Sequence, residues 1–506
     1  MALPTEPAAA VALYRRSSNP KTQSANLQQR KTTLMETQLN RRRFFQRAAL
    51  AAGAASFTTV YPSPAVLRAG ASGNKVNCVL VGFGVRGGEH LGTIGDENVV
   101  AMVDVDERQH AALHKRMKAK GLDAGKVQLF TDYRKMFDKI AKQIDAVFVA
   151  TPNHHHALVS LIALQLGKNV YCEKPLCHDV AEARRMAQAA SRAKVATQMG
   201  IQGHCMDGYR RLCEYIWAGA IGRVTETHSW TNRSNGGRGP RPVSEQPPAG
   251  LQWDQWIGPA PYRDYHQDLH PHEWHGWYDF GNGSLGNMMC HVLDGVYWAL
   301  KVEHPVSVEA EEIFNGSDER YPTGTRIRWD VPARGDLPPL KVYWYDGRTG
   351  ADDPGDGNQA TKGVKGQANL PPLLHELKKK YPKERFDSSG TLYVGEKGLI
   401  YTSTYGSVMR LEPETRMKEY PEPARTLPRP ESSFADFLNA CREGRTDTAI
   451  PFAYGARLTE FGLLGNLGQH AGVGKKVLWD AANMRVTNFP ELNRWVKCPY
   501  RKGWGV

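Results

Sequence analysis

Residues 76–81 (Val-Asn-Cys-Val-Leu-Val) form a short β-branched run that leads directly into Gly82-Phe83-Gly84-Val85-Arg86-Gly87. The run reads as a buried parallel strand, and the six residues after it are G-x-G-x-x-G. Such a turn alone constrains little; its surroundings constrain a great deal. A second apolar run, residues 99–103, ends in Asp104, 22 residues beyond Gly82. Strand, glycine turn, helix, strand and terminal acid together specify a doubly wound α/β unit that holds a dinucleotide. Gly82 permits the tight turn, Gly84 lets the backbone approach a pyrophosphate, and Gly87 lets helix and strand pack closely. Phe83, Val85 and Arg86 belong to the same cofactor-facing loop, where the helix N-terminus offers its free N–H groups. Asp104 is placed to accept from the adenosine ribose hydroxyls. Its charge would repel a 2′-phosphate, so NAD is expected in preference to NADP.

The strand–helix alternation continues. Residues 145–150 read as a strand running into Thr151-Pro152-Asn153-His154-His155-His156, and a helix over 157–166 stops at Gly167. A strand over 169–172 ends in Glu173-Lys174-Pro175; Asp179 with Glu182 forms a capping box, and residues 195–199 close the unit. All three unusual turns fall at the C-terminal ends of strands, the edge where open α/β sheets bind ligands. The three adjacent histidines point in different directions, so no metal site is expected there.

The formal charge is +13, of which +8 lies in residues 1–71 (ten Lys/Arg against two Asp/Glu), leaving +5 for the rest. That remainder is ordinary and suggests no nucleic-acid partner. Asn40-Arg41-Arg42-Arg43-Phe44-Phe45-Gln46, the Ala-rich run 48–60 and Ala69-Gly70-Ala71 read as a twin-arginine export signal with a cleavage site. The expected location is periplasmic, after export in the folded state by the twin-arginine machinery. Met35 is the expected true start. No apolar stretch is long enough to span a membrane in the mature chain. Eight cysteines without metal-like spacing, Cys172 and Cys177 the closest two, read as free thiols.

With these motifs in order, the chain resembles the Gfo/Idh/MocA oxidoreductases. The matching residues are the Gly82–Gly87 turn, Thr151-Pro152-Asn153 with His156, Glu173-Lys174-Pro175, and Gly281-Asn282-Gly283-Ser284-Leu285 through His291 and Asp294. Trp277-Tyr278-Asp279-Phe280-Gly281 and Arg501-Lys502-Gly503-Trp504 resemble the exported, twin-arginine branch. The resemblance implies a Rossmann domain over 72–200, after an extension and signal at 1–71. Residues 201–506 would form an α+β domain with an open, mostly antiparallel sheet, helices on one face and a subunit contact on the other, giving a homo-oligomer. It also implies that Lys174 sits beside the nicotinamide and the reacting carbinol and helps with proton transfer. His291 would be the principal acid/base, Glu173 would support the cofactor, and Thr151 and Asn153 would lie along the nicotinamide ribose. The family pattern has an aspartate four residues before the histidine; here Asn287 stands there, able to position a hydroxyl but not to take a proton.

Independently of the resemblance, Lys174 ends a strand at the ligand edge, where a desolvated lysine can shuttle a proton. His291 lies in an apolar helical run after a glycine-rich turn. Residues 262–277 carry His266, His270, His272 and His275 with Trp274 and Trp277, a loop suited to stacking on a sugar. Tyr209, Arg233, Trp274 and Asp294 are the candidate substrate contacts; Tyr209, Arg210 and Arg211 begin a helix near the domain junction. Residues 359–385 read as a solvated excursion around Lys378-Lys379-Lys380, and 433–442 and 453–470 as amphipathic helices, which the resemblance implies pack on the second domain.

The expected activity is hydride transfer between a carbohydrate or cyclitol hydroxyl and a tightly held nicotinamide cofactor. One alternative is an NAD-dependent glycosidase that oxidises the sugar transiently, eliminates and cleaves. A second is a non-catalytic sugar-binding protein.

Overall fold

The computed structural model describes residues 75–237, 241–349 and 367–505. The signal and start-codon expectations fall in residues 1–74, outside the described residues. So does the first part of the excursion, up to residue 366.

Six parallel strands form the first sheet: β1 (Asn77–Val81), β2 (Asn98–Val103), β3 (Gln128–Phe130), β4 (Ala146–Val149), β5 (Asn169–Glu173) and β6 (Thr197–Gly200). Their order is β3-β2-β1-β4-β5-β6, the Rossmann order, with its reversal between β1 and β4. Alternation along β1 sends Val79 and Val81 to one face and Cys78 and Leu80 to the other, all buried. Helices α1 (Val85–Thr93) and α2 (Arg108–Ala119) cover the Cys78 face through Leu91 and Leu113. Helices α3 (Tyr133–Ile140), α4 (Asn153–Gln165) and α5 (Val180–Ala193) cover the other. The expected capping box opens α5: Glu182 N–H donates to Asp179 at 2.8 Å, and Asp179 N–H donates back to Glu182 at 3.2 Å.

The second sheet has ten strands among the described residues: β7 (Val224–Thr231), β8 (Ser307–Phe314), β9 (Gly324–Val331), β10 (Leu340–Thr349), β11 (Gln367–Ala368), β12 (Ser389–Gly395), β13 (Gly398–Ser403), β14 (Met409–Glu412), β15 (Val477–Asp480) and β16 (Arg485–Val486). The pairs are antiparallel apart from β7 with β10. Against the second sheet lie α6 (Asp207–Trp217) and the wholly buried α7 (Gly283–Val292).

Three placements differ from the sequence reading. Residues 367–385 are not all solvated excursion: α8 (Pro372–Lys380) buries Leu374 and Leu377 against Trp230 and Tyr345 while its three lysines stay exposed. Helix α9 (Ser433–Glu443) does not pack on the second sheet. Its Phe434 stacks on Tyr171 with ring centres 4.5 Å apart, and Phe437 meets Phe148 edge-on at 5.5 Å. These side chains complete the Cys78 face of the first sheet, which α1 and α2 leave partly open. Helix α10 (Phe452–Ala471) bridges both units, pairing Glu460 with Arg184 of α5 and packing beneath β8.

Candidate active site

The C-terminal ends of β1, β2, β4 and β5 open into a cleft of about 400 Å³, also lined by α7, Arg233 and residues 255–275. It lies at the topological switch point, where the crossovers on either side of β1 and β4 diverge. Gly82 adopts φ +86, and a Cβ there would lie 2.6 Å from the Ala150 carbonyl oxygen. A Cβ on Gly87 would strike the Gly82 carbonyl oxygen, whereas one on Gly84 would meet nothing within 4 Å. The turn is thus packed from behind and open in front, so an elongated group can lie across it at the start of α1. Phe83 contributes only backbone: its ring is buried, and its N–H donates to Asp104 Oδ2 at 2.6 Å. Asp104 Oδ1 accepts from Asp106 N–H at 2.9 Å. Burial raises the Asp104 carboxyl to about 6 against those two bonds, so it is an anion at neutral pH.

Glu173 is buried under the turn, accepting from Arg86 Nε at 2.8 Å and lying 2.8 Å from His90 Nε2. Burial alone would raise it; the His90 bond and the Arg86 charge overcome that and hold it down to about 2. This pair fastens the glycine turn to the end of β5. His156 does the same between the neighbouring turns, with Nδ1 2.8 Å from the Pro175 carbonyl and Nε2 2.7 Å from the Thr151 carbonyl. Asn153 donates to Asn282 Oδ1 at 2.8 Å, joining α4 to the loop before α7.

Lys174 Nζ lies in the cleft and donates to Asn287 twice, to its backbone carbonyl at 2.8 Å and its Oδ1 at 3.2 Å. Burial lowers this amine to about 8, although Glu173 opposes the shift. Asn287 Nδ2 donates in turn to Asn235 Oδ1 at 2.9 Å. One turn further along α7, His291 reaches the cleft with Nδ1 buried and unpartnered among the described residues. Burial, then the Lys174 charge, push its imidazole well below the usual histidine range.

Arg233 and Trp274 line the same cleft; Tyr209 and Asp294 do not. The Tyr209 hydroxyl donates to the His291 carbonyl at 2.5 Å from behind α7. Asp294 is fully buried beside His204 Nδ1 (2.9 Å) and accepts from the Tyr454 hydroxyl at 2.6 Å. Both hold the helix that carries His291 and neither can touch a ligand. Among the cleft residues outside the candidate set are Gln202, Gln255, Tyr405 and Trp504. No local spacing marks them, because they come from four separate segments.

Thr151 Oγ1, Gln202 Oε1, Gln255 Oε1, His275 Nδ1 and His291 Nδ1 are buried without a hydrogen-bond partner among the described residues, and all five residues line this cleft. An unmet buried polar atom costs about 1–3 kcal/mol. Five in one cleft are donors and acceptors kept for a hydroxyl- and amide-rich occupant. No cluster of three His, Cys, Asp or Glu with metal-binding geometry occurs among the described residues.

Residues 76–201 match the family model described as an oxidoreductase NAD-binding Rossmann fold, and residues 223–322 match the C-terminal alpha/beta domain of the same family. The two segments thus resemble, in order, the two domains of the Gfo/Idh/MocA oxidoreductases. Among its relatives is an inositol 2-dehydrogenase of Salmonella paratyphi B, 32% identical over 156 residues. That match covers 29% of this chain and 44% of the relative, so the chain spans less than half of that relative's length. The fold is also shared with two solved structures, each 16% identical. Aldose-aldose oxidoreductase from Caulobacter crescentus has a TM-score of 0.51 over 80% of this chain and 100% of that one. The WlbA dehydrogenase from Bordetella pertussis, solved with NADH and UDP-GlcNAcA, has a TM-score of 0.52 over 80% and 99%.

Proposed function

We propose that the protein oxidises a hydroxyl-bearing carbon of a carbohydrate or cyclitol, with a nicotinamide dinucleotide held across the Gly82–Gly87 turn. The single observation that carries this reading is the placement of Lys174. An amine at about 8 stands in a cleft between a glycine cradle on one side and unpartnered polar atoms on the other. The bound dinucleotide supplies a nicotinamide carbon that accepts hydride. Asp104, anionic and already carrying two backbone N–H bonds, has lone pairs left for ribose hydroxyls and disfavours a 2′-phosphate, which supports NAD. Thr151 Oγ1 is free for the ribose beside the reacting end.

A neutral Lys174 that gives both hydrogens to Asn287 keeps its lone pair for the substrate. As hydride leaves the carbinol carbon, the hydroxyl proton passes to that lone pair and a carbonyl remains. A base near the working pH is the effective one, which favours Lys174 over the strongly depressed His291. His291 stays neutral and hydrogen-bonds the carbinol oxygen, exchanging the emphasis that the resemblance implies. Gln202, Gln255 and His275 supply hydrogen bonds to the remaining hydroxyls, and the Trp274 face stacks on their C–H surface. The inositol dehydrogenase relative supports a polyol substrate.

We further propose that the mature protein is exported with its cofactor aboard, on the strength of the Arg41-Arg42 signal, and that it self-associates. The test is to purify the folded protein, denature it and identify the released nucleotide by mass spectrometry. Near-stoichiometric NAD or NADH, with bound NAD reduced on adding a polyol, is the expected result. Sugar cleavage without net reduction would favour the glycosidase alternative. An absence of nucleotide, with none bound on addition, would overturn the redox reading.

A further inference from the structure

Arg233 stands two residues beyond the end of β7, with its backbone N–H bonded to Thr231 Oγ1 at 3.3 Å and its side chain in the cleft wall. Among the described residues its guanidinium has no hydrogen-bond or ion-pair partner. The other charged groups nearby are engaged: Arg86 with Glu173 and Glu89, and Asp132 with Arg134. Arg233 is half-buried in the cleft wall, so its guanidinium is open to an anionic occupant of the cleft.

The cleft lining brings Arg233 together with Gln202, Asn287, His275 and His291, while the acids Asp104 and Glu173 that also line it already accept from backbone or side-chain donors. Asn287 provides both acceptors for Lys174 without bringing a negative charge. Glu173, the acid next in sequence to Lys174, is paired through Oε1 with Arg86 and His90. Arg233 stands two residues before Asn235, which accepts from the Asn287 that holds Lys174, and it lines the cleft with His275 and His291, so it belongs with them at the Lys174 end.

We propose that the substrate is a sugar acid, whose carboxylate pairs with the Arg233 guanidinium while its ring hydroxyls meet Lys174, His275 and His291. This rests on the polyol-oxidation reading above and names its substrate class. A guanidinium presents two parallel N–H groups that match the two oxygens of a carboxylate, which neither a hydroxyl nor an ester can do. One such fork suits a monoanion; a phosphate dianion would call for further cations on the same wall.

The experiment is calorimetric titration of the nucleotide-loaded protein with D-glucuronate, D-galacturonate and D-mannuronate. Each is paired with its methyl ester, and hexose 6-phosphates serve as the competing anion. At least one uronate is expected to bind about tenfold to a hundredfold tighter than its own ester. Arg233→Gln should bring that pair within about twofold, and Arg233→Lys should retain part of the preference, since it keeps the charge and loses the fork. Retained nucleotide in each variant shows that the fold is intact, and Arg233→Lys still decides if Arg233→Gln does not fold. Equal binding of every acid and ester, a preference that survives Arg233→Gln, or a preferred hexose phosphate overturns the sugar-acid assignment. Reduction of bound NAD by neutral polyols, measured in parallel, reports separately on the oxidation reading. If neutral polyols reduce the nucleotide and uronates gain nothing, only the inference of this section falls.

Discussion

Lys174 is the residue on which the chemistry turns, and its behaviour follows from its neighbours. Burial favours the neutral amine, Glu173 favours the ammonium, and the outcome is about 8. Asn287 adds two acceptors but no charge, so it orients the amine without holding it protonated. The oxidation needs the neutral form, so kcat/KM should rise with pH through about 8 and then level off. Asn287→Asp places a carboxylate where only dipoles stand, favours the ammonium, and should move that limb to higher pH. A pH profile of bound-nucleotide reduction for both proteins checks this; an unmoved limb would assign the titration to another group. Lys174→Ala should lower kcat by at least about a hundredfold while the nucleotide stays bound, since its loss removes the base and not the cradle.

At the scale of elements, the approach of α1 to β1 is the most sensitive joint. The Gly82 carbonyl leaves no room for a Cβ at Gly87, and both partners are backbone, so neither can swing aside. Gly87→Ala should cost about 1–3 kcal/mol and release the nucleotide, measured by denaturant titration and by mass spectrometry of the purified protein. Helix α9 presents the opposite case, a distant segment filling a gap in the first sheet. Phe437 is wholly buried there, so Phe437→Ala should cost about 3–5 kcal/mol, read from the denaturation midpoint. Truncating the chain before α9 should therefore unfold the dinucleotide-binding unit, a result that local sequence would not suggest.

Over the whole molecule, the last third of the chain stitches the two sheets together. Thr448 Oγ1 donates to the Thr197 carbonyl at 2.5 Å, and Met199 N–H donates to the Ile450 carbonyl at 2.9 Å, laying the approach to α10 along β6. Further on, Cys498 N–H donates to Asp179 at 2.8 Å, the Tyr500 hydroxyl donates to Glu182 at 2.6 Å, and Trp504 reaches the cleft wall under the Arg134 guanidinium, 3.8 Å from its ring. A ligand lying in that cleft touches both halves, so binding should be felt by the molecule as one unit. Saturating NAD, at about a hundredfold its Kd, should add about 2.7 kcal/mol to unfolding of the nucleotide-free protein. Calorimetry should show both halves shifting together; a shift confined to part of the transition would mean that the halves unfold separately.

The sequence by itself determined the parts of this protein whose physics is local. The Gly82–Gly87 turn, the acid after β2, the capping box of α5 and the Lys174 strand end each depend on residues adjacent in the chain. Backbone sterics and hydrogen-bond reach over a few positions then suffice to read them. Trp274 and His291 were also legible as candidates, because one sits in an aromatic- and histidine-rich loop and the other follows a glycine-rich turn; Arg233 was a candidate without such a local mark. Tyr209 and Asp294 share that local context, yet they point behind α7, and only packing decides which side of a buried helix a side chain faces. The cleft positions of Gln202, Gln255, Tyr405 and Trp504, and the return of α9 to the first sheet, were likewise decided by the tertiary structure. Such contacts join residues hundreds of positions apart; they follow from which apolar faces remain uncovered once each sheet has formed, and a sequence records that only collectively.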